Sequence, residues 1–121
     1  AQGDTDSELY FLYLLTEIKK HGFLQGITSA LRFIKENIDH SSANMMIMNK
    51  DFFVTACRYN QDRIPDLFKK DIDYYELRYK EVDGSVLVAS SGWNQEGWTM
   101  LPNDSLLIVD RSDQSHSTLA I

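Results

Sequence analysis

The chain of 121 residues has one cysteine, net charge −6 and 43% hydrophobic residues, the profile of a folded domain with one ordinary core. The acidic balance, with basic runs no longer than Lys19-Lys20 and Lys69-Lys70, argues against a nucleic-acid partner, because phosphate neutralisation needs clustered cations. Cys57 alone builds neither an internal disulfide nor a cysteine-based zinc site and suits a reducing, cytoplasmic compartment; no apolar run is long enough to span a membrane.

In chain order, the run from Thr5 places Leu9, Leu12, Tyr13 and Ile18 at near-helical spacing and ends in Lys19-Lys20-His21-Gly22, a cationic last turn followed by a glycine stop. Thr5 and Glu8 form a capping-box pattern at its start. A second helix is expected over Gly26 to His40, where Ile27, Leu31, Ile34 and Ile38 make one apolar stripe.

Beyond His40-Ser41-Ser42 the period falls to two or to continuous apolar runs. Strands are expected at Asn44 to Met48 and Phe52 to Tyr59, joined by the turn Asn49-Lys50-Asp51. Met45, Met46 and Met48 read as adaptable core fillers. Gln61 to Asp73 is a charged, irregular excursion around Pro65. Tyr75 to Lys80 alternates as a strand with one wet face and turns through Asp83-Gly84 into the more apolar Ser85 to Ser90. Trp98 to Leu101, the turn Pro102-Asn103-Asp104, and Ser105 to Asp110 read as a further short hairpin. Residues 1–110 are thus expected to form a single α+β domain, two N-terminal helices packed on antiparallel sheet, and 111–121 a flexible tail.

The isolated chemical candidates are weak. Cys57 lies mid-strand without a histidine nearby in sequence, and His21, His40 and His116 hold no ligand spacing. The acids Asp62, Asp66, Asp71, Asp73 and Glu76 fit no calcium loop. Trp93 and Trp98 flank a polar loop and read as anchors for it rather than as a stacking site. No metal or cofactor is implied.

An ordered set of motifs says more. Gly3-Asp4-Thr5-Asp6-Ser7-Glu8 before an apolar helix resembles the G-x-TDSE stretch of class II glutamine amidotransferases. Arg78-Tyr79, Val88-Ala89-Ser90, Gly97-Trp98 and Leu101-Pro102-Asn103-Asp104-Ser105-Leu106-Leu107 resemble, in order, the later segments of those domains, particularly the small stand-alone YafJ-like kind. The resemblance implies half of an N-terminal nucleophile αββα sandwich, and an activity that hydrolyses glutamine or a γ-glutamyl amide. In such domains a first-residue cysteine attacks the amide, with its own α-amine as general base. The TDSE aspartate, here Asp6, holds the substrate α-ammonium by a charge-assisted hydrogen bond.

The chain begins at Ala1, without that cysteine or the Asn-Gly pair of the oxyanion hole, so the resemblance covers only the C-terminal half of the family domain. The 121 residues alone are expected to be inactive, with no catalytic residue of their own and Asp6 as the substrate contact. They are also expected to self-associate, or to pair with an N-terminal half, through sheet edges or helix faces. The competing expectation, from another class, is a non-catalytic oligomeric interaction module.

Overall fold

The computed structural model describes the backbone of residues 2–60, 75–90 and 97–121, and the side chains of these from Ser7 onward. It is an α+β chain in two compact units, Ala1–Asp39 and His40–Ile121. The expected single domain over 1–110 therefore divides after the helices, and its second unit runs to the end of the chain.

The first unit is a pair of helices, α1 (Gln2–His21) and α2 (Phe23–Asn37), broken by Gly22 alone. Gly22 has φ +94°, a left-handed conformation that suits glycine at a helix terminus, and its amide still donates to the Ile18 carbonyl at 2.8 Å. The next turn is secured by Gly26, whose amide donates to the Gly22 carbonyl at 2.8 Å. α1 begins earlier than the capping box predicts: Thr5 is already helical, so it does not cap the helix. α2 begins earlier too, at Phe23 rather than Gly26, and ends at Asn37.

Side chains from both helices make the seam between them. Tyr13 and Phe33 pack with their rings tilted at a centroid separation of 5.7 Å, and Ser29 Oγ donates to Glu17 Oε1 at 3.0 Å. Glu17 is nearly buried, and its charge is met by Lys20 at 3.7 Å, one turn on.

The second unit holds seven strands: β1 (Met45–Met48), β2 (Phe52–Cys57), β3 (Leu77–Val82), β4 (Ser85–Ser90), β5 (Thr99–Leu101), β6 (Ser105–Asp110) and β7 (His116–Ala120). They form two antiparallel sheets, in the orders β1-β2-β6-β7 and β4-β3-β5. Cys57, Tyr59, Leu107 and Val109 of the first meet Leu77 and Leu101 of the second in one buried cluster, with Phe53, Tyr79, Val86 and Val88 packed around it. The sheets thus face each other across a shared apolar layer.

The hairpins β1–β2 and β3–β4 form as the sequence predicts; Asp83 (φ 50°) and Gly84 (φ 79°) give the second its two left-handed turn residues. The third expected hairpin does not form. β5 pairs with β3 and β6 pairs with β2, so Pro102-Asn103-Asp104 carries the chain from one sheet to the other. Asn103 fixes this corner by taking both backbone groups of Tyr59: its Oδ1 accepts from the amide at 3.0 Å and its Nδ2 donates to the carbonyl at 2.9 Å.

The expected flexible tail is corrected as well. After a turn at Arg111–Asp113, β7 pairs with β6 from His116↔Val109 to Ala120↔Ser105. The unpaired edge of β6 supplies the ladder that its polar sequence does not advertise.

Candidate functional site

Asp6 lies on the second turn of α1. Its backbone is helical, and its side chain falls outside the described residues. The acidic excursion from Asp62 to Asp73 and the loop residue Trp93 also fall outside them.

Of the other segments of the resemblance, Arg78-Tyr79, Val88-Ala89-Ser90, Leu101 and Ser105-Leu106-Leu107 occupy strands, while Gly97-Trp98 precede β5 and Pro102-Asn103-Asp104 form the corner between the sheets. Arg78 is opposite Ala89 and Tyr79 opposite Val88 across the β3–β4 ladder. Arg78 is held by Glu76 at 3.0 Å, and Tyr79 turns its ring into the apolar layer and packs edge-on against His116 at 5.6 Å. His116 Nδ1 lies 3.5 Å from Glu81. Ser105, Leu106 and Leu107 run through the interior strand β6, all buried.

The densest polar arrangement among the described residues centres on Arg58, at the end of β2. Its side chain is 7% exposed, and the guanidinium reaches three acceptors: Asp104, Asn60 and His40 Nε2, the last at 3.3 Å. Asn60 also donates to the His40 carbonyl at 2.6 Å. Asn44 joins the same region, its Oδ1 accepting from the Arg58 amide at 2.8 Å while its Nδ2 donates to the Tyr75 carbonyl at 2.8 Å. A buried cation of this kind must be paired, and each of the three guanidinium nitrogens has an acceptor within the protein. The group ties the β2 terminus to the corner at Asp104 and offers no cationic face to a ligand. Sequence reasoning missed it; the signal was a lone arginine closing the apolar run Phe52 to Cys57, since a charge at the end of a buried strand requires partners.

Cys57 is fully buried, and burial pushes its thiol up to about 11, with the Glu76 and Asp104 carboxylates adding to the shift. A thiol so raised is no nucleophile at neutral pH. Among the described residues no group of three or more His, Cys, Asp or Glu side chains converges to hold a metal ion. A surface depression of about 460 Å³ lies between the β1–β2 and β6–β7 turns, lined by Lys50, Asp51, Phe52, Asp110, Arg111 and Ser112. Arg111 there is engaged with the Asn49 carbonyl at 2.6 Å, and Asp110 accepts from Ser112, so its polar groups serve the turns. Among the described residues no helix is long and apolar enough to cross a membrane.

The chain matches no family model, no curated protein and no solved structure.

Proposed function

We propose that the chain is the C-terminal part of a class II glutamine amidotransferase-like domain, which hydrolyses the side-chain amide of glutamine or a γ-glutamyl compound. The reading rests on the ordered motif set from Asp6 to Leu107. The observation that carries it furthest is the pair of facing antiparallel sheets, because the β-layers of an N-terminal nucleophile sandwich have this form and most of the later motif residues fall on their strands.

In this reading Asp6 provides the carboxylate for the substrate α-ammonium, fixing which end of the glutamyl group faces the nucleophile. Arg78 and Tyr79 act structurally, through Glu76 and the inter-sheet layer. The nucleophile is not Cys57, whose thiol is buried and neutral, but a first-residue cysteine supplied from outside these 121 residues.

The protein expressed from its complete reading frame is expected to release glutamate from glutamine or a γ-glutamyl amide, and the 121 residues alone are not. Asp6→Asn in that complete protein should raise KM about thirtyfold, the equivalent of about 2 kcal/mol for a lost charge-assisted contact, with kcat much less affected. Absence of hydrolysis in the complete protein, or an unchanged KM in the variant, would overturn the reading in favour of a non-catalytic module.

A further inference from the structure

α1 has two apolar faces, and α2 covers only one. Leu14 and Glu17 are buried, and the Ile18 backbone lies against Gly26. On the other side Leu9, Phe11, Leu12 and Leu15 are 60%, 51%, 50% and 42% exposed. Scattered exposed apolar residues would need no explanation, but Leu12 and Leu15 fall in line with a charge at either end. Glu8, Leu12, Leu15 and Lys19, all exposed, follow one another at steps of four, three and four, the spacing of a coiled-coil seam. The seam has an acid at its N-terminal end, a base at its C-terminal end and leucines between.

That order is self-complementary when reversed. We infer that the outer face of α1 is the dimerisation surface of this chain, taking α1 of a second copy antiparallel across a two-fold axis. In this register Leu12 lies opposite Leu15 of the second copy and Glu8 opposite Lys19. A two-fold contact is isologous, so each pairing occurs twice and both ends of the seam close with an ion pair. Parallel pairing would set Glu8 against Glu8 and Lys19 against Lys19, so the charges also fix direction. Lys20, the neighbouring base, is turned to Glu17 of its own helix at 3.7 Å and does not compete. Antiparallel helices also set the positive end of one macrodipole beside the negative end of the other.

The surface does not include the proposed substrate contact. Asp6 precedes Glu8 by two positions, which places it about 200° around the helix from the seam.

Sedimentation equilibrium and light scattering on the 121-residue chain test the inference, with circular dichroism confirming that each variant is helical. The wild-type chain should be a dimer at tens of micromolar. Glu8→Lys alone, or Lys19→Glu alone, turns two attractive pairs into two repulsive ones and should weaken the dimer by at least about tenfold. Mixing these two variants should give a heterodimer, because one chain then carries a base at both ends of its seam and the other an acid at both ends. The double exchange E8K/K19E should recover self-association, and Leu12→Asp should abolish it. A wild-type chain that stays monomeric over that range would overturn the inference, as would association indifferent to the single reversals, the outcome expected if open strand edges held the copies together.

Discussion

Cys57 shows how far position, rather than residue type, decides reactivity. It is enclosed between the sheets beside Tyr59 and Leu107, and burial is the largest cause of its thiol's rise from 9.0 to about 11. The fold therefore favours the neutral thiol more strongly than the unfolded chain does. The corresponding stability is fully present below pH 9 and is lost as pH rises from 9.0 through about 11, where the folded thiol also ionises. Tyr10, Tyr13 and Tyr59 are shifted upward by burial as well and add losses of the same sign, so the thiol's share must be obtained by difference. Urea midpoints for the wild type and Cys57→Ala, compared at pH 8 and pH 11, should show a smaller alkaline decline in the variant, although the variant is less stable at both because the removed sulfur leaves a small void. Equal declines would mean that the thiol ionises freely in the folded chain. At pH 8 the native thiol should also resist iodoacetamide until denaturant is added.

At the level of elements, the two helices are legible from the 3.6-residue period, but their boundary depends on contacts that periodicity does not contain. Gly26 looks like a helix start, and instead lies inside α2, where it meets the α1 backbone at Ile18. A Cβ there would lie 2.4 Å from Ile18 Cα and 2.5 Å from Ile18 N, which are backbone atoms that cannot rotate away. Replacing glycine by alanine inside a helix ordinarily stabilises it by about 1 kcal/mol. Here the clash reverses the sign, and Gly26→Ala should destabilise by about 2 kcal/mol as the helices are forced apart. Thermal unfolding followed at 222 nm measures this; a variant equal to or more stable than wild type would show that the helix seam yields to an added methyl group. The β5–β6 connection fails to read out for a related reason. Proline, asparagine and aspartate specify a turn but not the strand that receives each arm, and here Leu77 takes Leu101 while Tyr59 takes Asn103. The candidate site was read with the same limit: the motif order singled out Asp6 as an expected contact, whereas the Arg58 group emerges only when residues far apart in sequence are brought together.

For the β unit as a whole, the strand that sequence reading overlooked determines how its four-stranded sheet ends. Ser115 to Ala120 has no apolar alternation because every residue of β7 is solvent-exposed, so no burial signal reaches the sequence, and its extended form comes from the backbone groups of β6. Two consequences of removing it can be ranked by size. Five residue pairs are lost, each hydrogen bond being worth about 1 kcal/mol net, but ordering the segment costs a comparable 1–2 kcal/mol per residue. These terms offset one another, so the folded unit should lose little stability. The second consequence has no such compensation. β6 is an interior strand, with Ser105, Leu106, Leu107 and Val109 buried, and without β7 its whole edge becomes a free template for another chain. A chain ending at Arg111 is therefore expected to keep a urea midpoint close to that of the intact chain, yet to form sedimenting, thioflavin-binding aggregates at concentrations where the intact chain stays in solution. A large fall in the midpoint with solubility preserved would reverse the ranking and make β7 a principal source of stability rather than a guard over the edge of β6.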